Sequence, residues 1–528
     1  MLKSREDGIP VDITVRQSHV FPEGNFGLPQ PTKEKPCQDS AFACPLPVPD
    51  VTIDKVSHFL SLFINELHAA TQSLEKIKGG TTLTTAVVVG DQVAFCWRGD
   101  SEGGAYADGK VIDYTNPHVL GSDPACWPQQ IAITYYPPDI AKEIRGIVGA
   151  VVKGIGIGGK TQLTEAGSGR LLITFSLDVS QEQRIAFCQN FKVACVHPNV
   201  SVRTAAGSEF TRSVGDWSDR SSVRTSELKI VSLARSFAEG KAVDLILASD
   251  GVWAMMGDGL QQRHAQLATF LASPEGSLLV GGDLAVSGNL VGLSFNRWRT
   301  FGYPDSDDIS VVHARLRADA PCPPMLLGVA DGHGKEIGHV CAEFCKIAFK
   351  CIFPGALDYF MHPEHFERGV LAQRAREGLM ASPHAALVSP LIEALIQKLE
   401  YIPDLISRLG SYSLKLNDGR YYKERRAAKQ KGIGLLIDVL KATDAAMMRN
   451  GLNALSADPE FSKMCAGSAS KRFMEFFGEV REWVMKQGGA SEAAPYGVVG
   501  GFGGAASKPH SDSDDDLSIT AHSGALEP

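Results

Sequence analysis

The sequence predicts an α+β chain, and three observations carry that expectation. Apolar runs that stop abruptly at Asp-Gly recur, short β-rich segments follow one another over residues 11–316, and residues 355–487 keep only helical periodicity. The clearest run is Val243–Ala254, VDLILASDGVWA, in which Leu245-Ile246-Leu247-Ala248 gives way to Ser249-Asp250-Gly251. An aliphatic run of this length reads as a buried strand, and Gly after Asp lets the chain turn at its end, so Asp250 stands at a sheet rim. Met325–Gly334, MLLGVADGHG, repeats the pattern and delivers Asp331-Gly332-His333-Gly334. A single Asp-Gly is ordinarily only a turn. Two strands that both end this way suggest carboxylates gathered on a rigid scaffold, a donor set for hard cations such as Mg²⁺ or Mn²⁺.

The length of 528 residues exceeds one typical domain. With 44% hydrophobic and 21% charged residues the chain has ordinary globular composition and enough apolar side chains for a sizeable core. A net charge of −8 disfavours nucleic acid as the main partner. Met1–Pro10 has no apolar centre and does not read as a signal peptide, and no apolar run reaches the roughly 20 residues a bilayer span needs. The chain is therefore expected to be soluble and cytoplasmic. Its 11 cysteines are odd in number and lack a paired CxxC layout, which suits reduced thiols. Cys341 and Cys345 share a helical face and read as core thiols rather than zinc ligands.

In chain order, VDITVRQSHVF begins a strand, and a Gly/Pro-rich loop leads to Lys33, Lys35 and then Asp39, which precedes a short apolar stretch. Residues 54–78 repeat apolar positions at three and four, as an amphipathic helix does, and Gly79-Gly80 ends it. Thr82–Val89 and Gln92–Trp97 read as a hairpin turning at Gly90-Asp91, after which Gly99-Asp100-Ser101 presents another carboxylate past a strand. A meander of such strands points to antiparallel sheet. Residues 119–207 are Gly- and Pro-rich and read as an insertion or flap. Gly154–Thr161 formally matches a phosphate-cradling GxxxxGK[ST] loop, but that loop needs a strand before it and a helix after it. Here the following helix would last only Gln162–Ala166, so a Gly-rich turn is the stronger reading.

Asp305, Asp307 and Asp308 stand immediately before the strand Ile309–Leu316. The basic stretch Arg420–Lys431 reads as a solvated helix face, and His362 and His365 as surface histidines. The expected organisation is a main body over 1–316, a strand and helix over 317–353 that complete it, a helical domain over 354–487 and a disordered tail over 488–528.

Taken together, QDS (38–40), GGTTLTTAVVVGDQVAFCWRGDS (79–101), TRSVGDW (211–217), VDLILASDGVWAMM (243–256), DDISVV (307–312) and LLGVADGHG (326–334) resemble the type 2C, or PPM-family, metal-dependent serine/threonine protein phosphatases. The resemblance covers most of residues 11–316 plus 325–350. It implies a β-sandwich of two antiparallel sheets flanked by helices, with a binuclear Mg²⁺/Mn²⁺ centre at one end. Motif order departs from the family, in which the DGHG strand comes before the GDS strand. A circularly permuted domain accounts for this, because the front part lacks what Met325–Phe353 supplies. The rival is a tandem arrangement, favoured by the echo of 307–312 in Asp515–Thr520 and disfavoured by the lack of a second GDS or SDG motif.

Carried over by position, the resemblance implies Asp39, Asp331, Asp250 and Asp307 as metal ligands, Gly332 as a carbonyl ligand and Asp100 near a third, weaker ion. It implies His333 as the general acid for the leaving alkoxide. The family's phosphate-clamping Arg has no counterpart, leaving Lys33 and Lys35, which offer point charges rather than a bidentate fork. Ala254 replaces a residue that is often acidic. A thiol-phosphate route would need Arg six residues after Cys, and Cys465 to Arg472 is seven. The expected activity is Mn²⁺- or Mg²⁺-dependent hydrolysis of phosphoserine and phosphothreonine in proteins, with phosphorylated protein as partner and no role for nucleic acid or membrane. The alternatives are a pseudophosphatase that binds without turnover and a nucleotide binder using Gly154–Thr161.

Overall fold

The computed structural model describes residues 2–5, 11–17, 37–74, 79–119, 130–135, 138–166, 169–195, 200–204, 212–215, 226–257, 259–274, 276, 279–280, 283–284, 286–301, 306–320, 322–334, 337–415, 423–441, 445–459, 461 and 471–488. The chain divides into two compact units, Met1–Ile433 and Gly434–Pro528. The first begins with β1 (Leu2–Arg5), β2 (Val11–Arg16), β3 (Asp39–Pro45), α1 (Ile53–Ala70), β4 (Gly80–Val89), β5 (Gln92–Arg98), β6 (Glu102–Ala107) and β7 (Lys110–Tyr114). An inserted module then supplies β8 (Gln130–Tyr135), α2 (Ala141–Ile155), β9 (Thr161–Glu165), β10 (Arg170–Phe175), α3 (Gln181–Ala194) and β11 (Val200–Thr204). After it come β12 (Val214–Gly215), β13 (Glu227–Ser232), α4 (Ala234–Ala238), β14 (Val243–Ala248), α5 (Asp250–Trp253), α6 (Leu260–Ala272), β15 (Leu279–Val280), β16 (Asp283–Leu284) and α7 (Val286–Thr300). The unit continues with β17 (Ile309–Leu316), β18 (Met325–His333), α8 (Gly338–Ile347), α9 (Phe353–Met361), α10 (Val370–Ala381) and α11 (Ala385–Lys415), and α12 (Lys423–Lys441) spans the division.

Alternating side chains sort the strands into two antiparallel six-stranded sheets, one ordered β1-β2-β17-β14-β6-β7 and the other β13-β5-β4-β18-β3, with β12 also on β4. Between them lies one core, with Ile13, Leu245, Leu247 and Val312 from the first sheet and Phe95, Trp97, Leu327 and Val329 from the second. The outer face of the first sheet packs Ile246, Ala248 and Val311 under Leu267, Leu271, Leu290 and Val291 of α6 and α7. The outer face of the second carries Phe42, Leu83 and Leu326 beneath α1, α8, α9, α10 and α11. β18 comes last among these strands yet is hydrogen-bonded on both sides, to β3 and to β4. Its unbroken apolar run suits that central, doubly covered position.

One expectation needs correction. Helices α9 to α11 belong to the same compact unit as the sheets and cover one of them through Leu357, Leu371, Leu391 and Leu395, so the chain does not divide at residue 354. Periodicity reveals that a helix has an apolar face but not what that face meets. Within the expected insertion at 119–207, the described residues of 130–204 form a βαββαβ module with sheet order β11-β8-β10-β9 and a core of Ile133, Val148, Ile173, Phe187 and Phe191 under two helices. Gln162–Glu165, the stretch too short for the helix a phosphate loop needs, belongs to strand β9 and pairs with β10.

In the second unit α13 (Ala445–Ala457) and α14 (Lys471–Gly488) are joined through Phe461, whose ring lies 5.7 Å from Phe473 and 5.0 Å from Phe477. The tail beyond 488 and the Asp515–Thr520 echo lie outside the described residues. No described helix is long and apolar enough to cross a membrane.

Candidate functional site

The site is built where four strand ends meet. Asp39 opens β3 directly opposite Asp331 on β18, and Asp331 also faces Thr82 on β4. Opposed residues of an antiparallel pair project to the same side with Cβ atoms about 5 Å apart. Register alone therefore puts two carboxylates side by side. Gly332 follows, and no other residue fits there, because a Cβ would meet the Gln38 carbonyl at 2.4 Å and the Gly338 carbonyl at 2.5 Å.

Asp250 stands at the first turn beyond β14. Its neighbour Gly251 lies so close to the Asp308 backbone that a Cβ would come within 2.2 Å of the Asp308 carbonyl oxygen. The Ser310 amide donates to the Ser249 hydroxyl at 2.9 Å, and Ser249 N–H to the Ser310 carbonyl at 3.0 Å. These contacts lock the SDG turn of β14 to the Asp-Asp lead into β17. Asp308 in turn accepts from the Gln38 amide at 2.7 Å, tying the β17 lead to the one before β3. Asp100 sits in the loop between β5 and β6, where Ser101 bonds the Thr82 hydroxyl at 2.7 Å.

The electrostatics register how closely these groups approach. Burial, then the charges of Asp308 and Asp307, push the Asp39 carboxyl up to about 7, and contacts with Asp331 and Ser249 offset this only in part. Burial, followed by the charges of Asp39, Asp250, Asp307 and Asp100, holds Asp331 well above the usual carboxylate range. Both Asp39 oxygens are buried and make no well-formed hydrogen bond. The carboxylates expected from scattered motifs thus face one another across a single rim, Asp250 and Asp331 among them.

An oxygen-only, strongly anionic donor set with orphaned buried oxygens fits a hard divalent cation. As the side chains lie, no group of three or more His, Cys, Asp or Glu among the described residues stands in metal-ligand geometry. Asp307, the expected ligand of its pair, is exposed, while Asp308 is 6% exposed and makes the structural contact. Sequence reasoning grouped Asp308 with Asp305 and Asp307 in the acidic lead to this strand but named only Asp307 as a ligand. His333 ends β18 opposite Gly80, half-buried at the rim of the site. Lys33 and Lys35 lie outside the described residues, as does Asp305. Ala254 is exposed just past Trp253.

The Gly-rich stretch Gly154–Thr161 forms the end of α2 and the start of β9, and Lys160 pairs with Asp178 at 2.7 Å. With no helix N-terminus after it, the stretch lacks the amide cradle that a nucleotide phosphate needs.

No protein family and no curated protein matches this sequence. Among solved structures, a sex-determining protein of C. elegans is similar at 18% identity and a TM-score of 0.22, over 43% of this chain and 37% of that one.

Proposed function

We propose that the chain is a metal-dependent phosphatase of the type 2C kind, acting on phosphoserine and phosphothreonine in proteins, with its DGHG strand displaced by circular permutation. One observation supports this above the others. β18, displaced in sequence, lies between β3 and β4 and carries Asp331 against Asp39, within electrostatic reach of Asp250, Asp307 and Asp100.

Asp39, Asp331, Asp250, Asp307 and the Gly332 carbonyl would hold a pair of Mn²⁺ or Mg²⁺ ions, with Asp100 near a weaker third. When bound, such a pair supplies an acidified water and charge neutralisation at a phosphoryl group. The protein's own part is positioning. The β3–β18 register, the Gly251–Asp308 contact and the Gln38–Asp308 hydrogen bond hold together the backbone segments that carry the carboxylates, so that ion binding would require side-chain rotation rather than rearrangement of the strands. His333, at the rim, would give its proton to the departing serine or threonine alkoxide. A phosphopeptide assay with Mn²⁺ and with chelator tests the proposal. Asp250→Asn and Asp331→Asn are each expected to lower kcat/KM by about a hundredfold or more. Full activity in either variant overturns it.

A second reading, a pseudophosphatase that binds without turnover, draws on Ala254, which supplies no carboxylate where the family often has one. Calorimetric titration with Mn²⁺ separates the two, since a binding-only relic takes up no divalent ion tightly.

A further inference from the structure

The inserted module leaves the sandwich after β7 and returns at β12, so its two necks are Thr115–Val119 and Arg212–Ser213. The outgoing neck is stitched to the loop that carries Asp100. Thr115 N–H donates to the Gly103 carbonyl at 2.8 Å, and Gly103 N–H to the Thr115 hydroxyl at 2.9 Å. His118 N–H donates to the Gly99 carbonyl at 2.7 Å, and Gly99 N–H to His118 Nδ1 at 3.1 Å. Two reciprocal pairs thus bracket Asp100-Ser101-Glu102. Trp97 adds to the seam, donating from Nε1 to the Asn116 carbonyl at 2.6 Å while its ring stacks on His118 at 5.8 Å.

Both necks then meet on one carboxylate oxygen. Arg212 Nη2 donates to Glu227 Oε1 at 2.9 Å, and His118 Nε2 faces the same oxygen at 3.4 Å. His118 and Arg212 side chains are each only 2% exposed. Because Nδ1 accepts from Gly99, the imidazole proton belongs on Nε2, on the side of Glu227, whose approach at 3.4 Å is an electrostatic contact rather than a well-formed hydrogen bond.

We propose that His118, oriented by Glu227, is a positioning residue for the Asp100 loop, and that Glu227 and Arg212 make the inserted module a lever on that loop. The catalytic consequence rests on the phosphatase reading; the mechanical one does not. The test uses the full chain and follows amide hydrogen exchange of the Trp97–Ser101 segment in chelator, with thermal melting as a check on folding.

Removing the acceptor in His118→Ala is expected to speed exchange at Gly99 about tenfold, the effect of losing one buried hydrogen bond. His118→Asn, which keeps an acceptor near the Nδ1 position, is expected to restore most of the protection. If His118→Ala does not fold, Glu227→Gln serves in its place and is expected to raise the same exchange about threefold. The Mn²⁺ concentration for half-maximal hydrolysis of p-nitrophenyl phosphate is expected to rise about tenfold in His118→Ala while kcat changes little. Unchanged Gly99 exchange in a folded His118→Ala chain, or equal loss in Ala and Asn variants, overturns the latch. Faster exchange in a chain whose wild type never hydrolyses phosphate supports the latch and overturns the phosphatase reading alone.

Discussion

Asp39 concentrates the physics of the site in one side chain. Its carboxyl, raised to about 7 by burial and by the neighbouring aspartates, is held mostly protonated by the fold at pH 5 and is increasingly charged toward pH 8. A carboxyl raised in the folded state contributes stability that is fully present below its unfolded value and lost as pH climbs through the folded one. In chelator the wild type should therefore lose this contribution between about pH 4 and pH 7. Asp39→Asn should be more stable than wild type by on the order of 2 kcal/mol at pH 8, with the gap closing toward pH 5. Chemical denaturation at the two pH values measures it, and a gap independent of pH refutes it. On the phosphatase reading, added Mn²⁺ should reverse the ranking, because the asparagine has no charge to offer the ion. Asp250 and Asp331 stood out in the sequence because each ends an apolar run that reads as a strand, whereas Asp39, which only precedes a short apolar stretch, was singled out as a ligand by the family resemblance. The division of labour between Asp307 and Asp308 was not legible, since two identical neighbours differ only in where the backbone turns them.

Among the elements, α6 shows how a helix outside the site steadies it. Its Arg263 and His264 both reach Glu102, at 2.7 and 3.0 Å, and Glu102 is fully buried two residues beyond Asp100. The chain of contacts continues from His264 Nδ1 to the Tyr106 hydroxyl at 2.5 Å. Burial, with the Glu102 charge adding, pushes the Tyr106 phenol well above its ordinary range, so it stays a donor. Arg263→Ala leaves a buried carboxylate with one partner fewer and should cost about 2 kcal/mol in urea denaturation. A loss below a few tenths of a kcal/mol would mean that His264 alone suffices. This network left no mark in the sequence, because its members are scattered over strand and helix. The inserted module was hidden for a different reason. α2 contains three glycines, which weaken helix propensity, and β9 is largely exposed, so neither shows strong periodicity. Ile144, Val148, Val151 and Val152 nevertheless fall on one buried face, a spacing that could have revealed the helix.

Across the whole first unit, aromatic side chains join segments far apart in sequence. Phe353 lies 5.3 Å from Phe59, 5.0 Å edge-on from Phe63 and 5.6 Å from Phe349, and Phe349 stacks on Phe42 of β3 at 5.1 Å. Strand β3, helix α1 and the helical segment that follows β18 thus share one cluster. Phe353→Ala should destabilise the unit by about 4 kcal/mol and lower its melting temperature without altering the isolated chemistry of the rim. A drop confined to α9, seen as local exchange with unchanged global melting, would show that the cluster does not bind the unit together. Antiparallel sheet was foreseeable from alternation and turn residues, whereas its division into two packed sheets was only what the family resemblance implied. Its neighbour relations were not foreseeable, because a run such as Leu326–Ala330 declares that it is buried on both faces without naming the strands beside it.

The place of β18 also bears on how the protein is made. On the ribosome, β3 and β4 emerge early and must wait for some 240 further residues before the strand that belongs between them arrives. Until then β4 keeps one bare edge and β3 has no partner in its sheet, a state open to pairing with other nascent chains. Closing so long a loop is slow, and stalled synthesis ahead of Met325 would yield a chain with half an acidic rim and two unguarded edges.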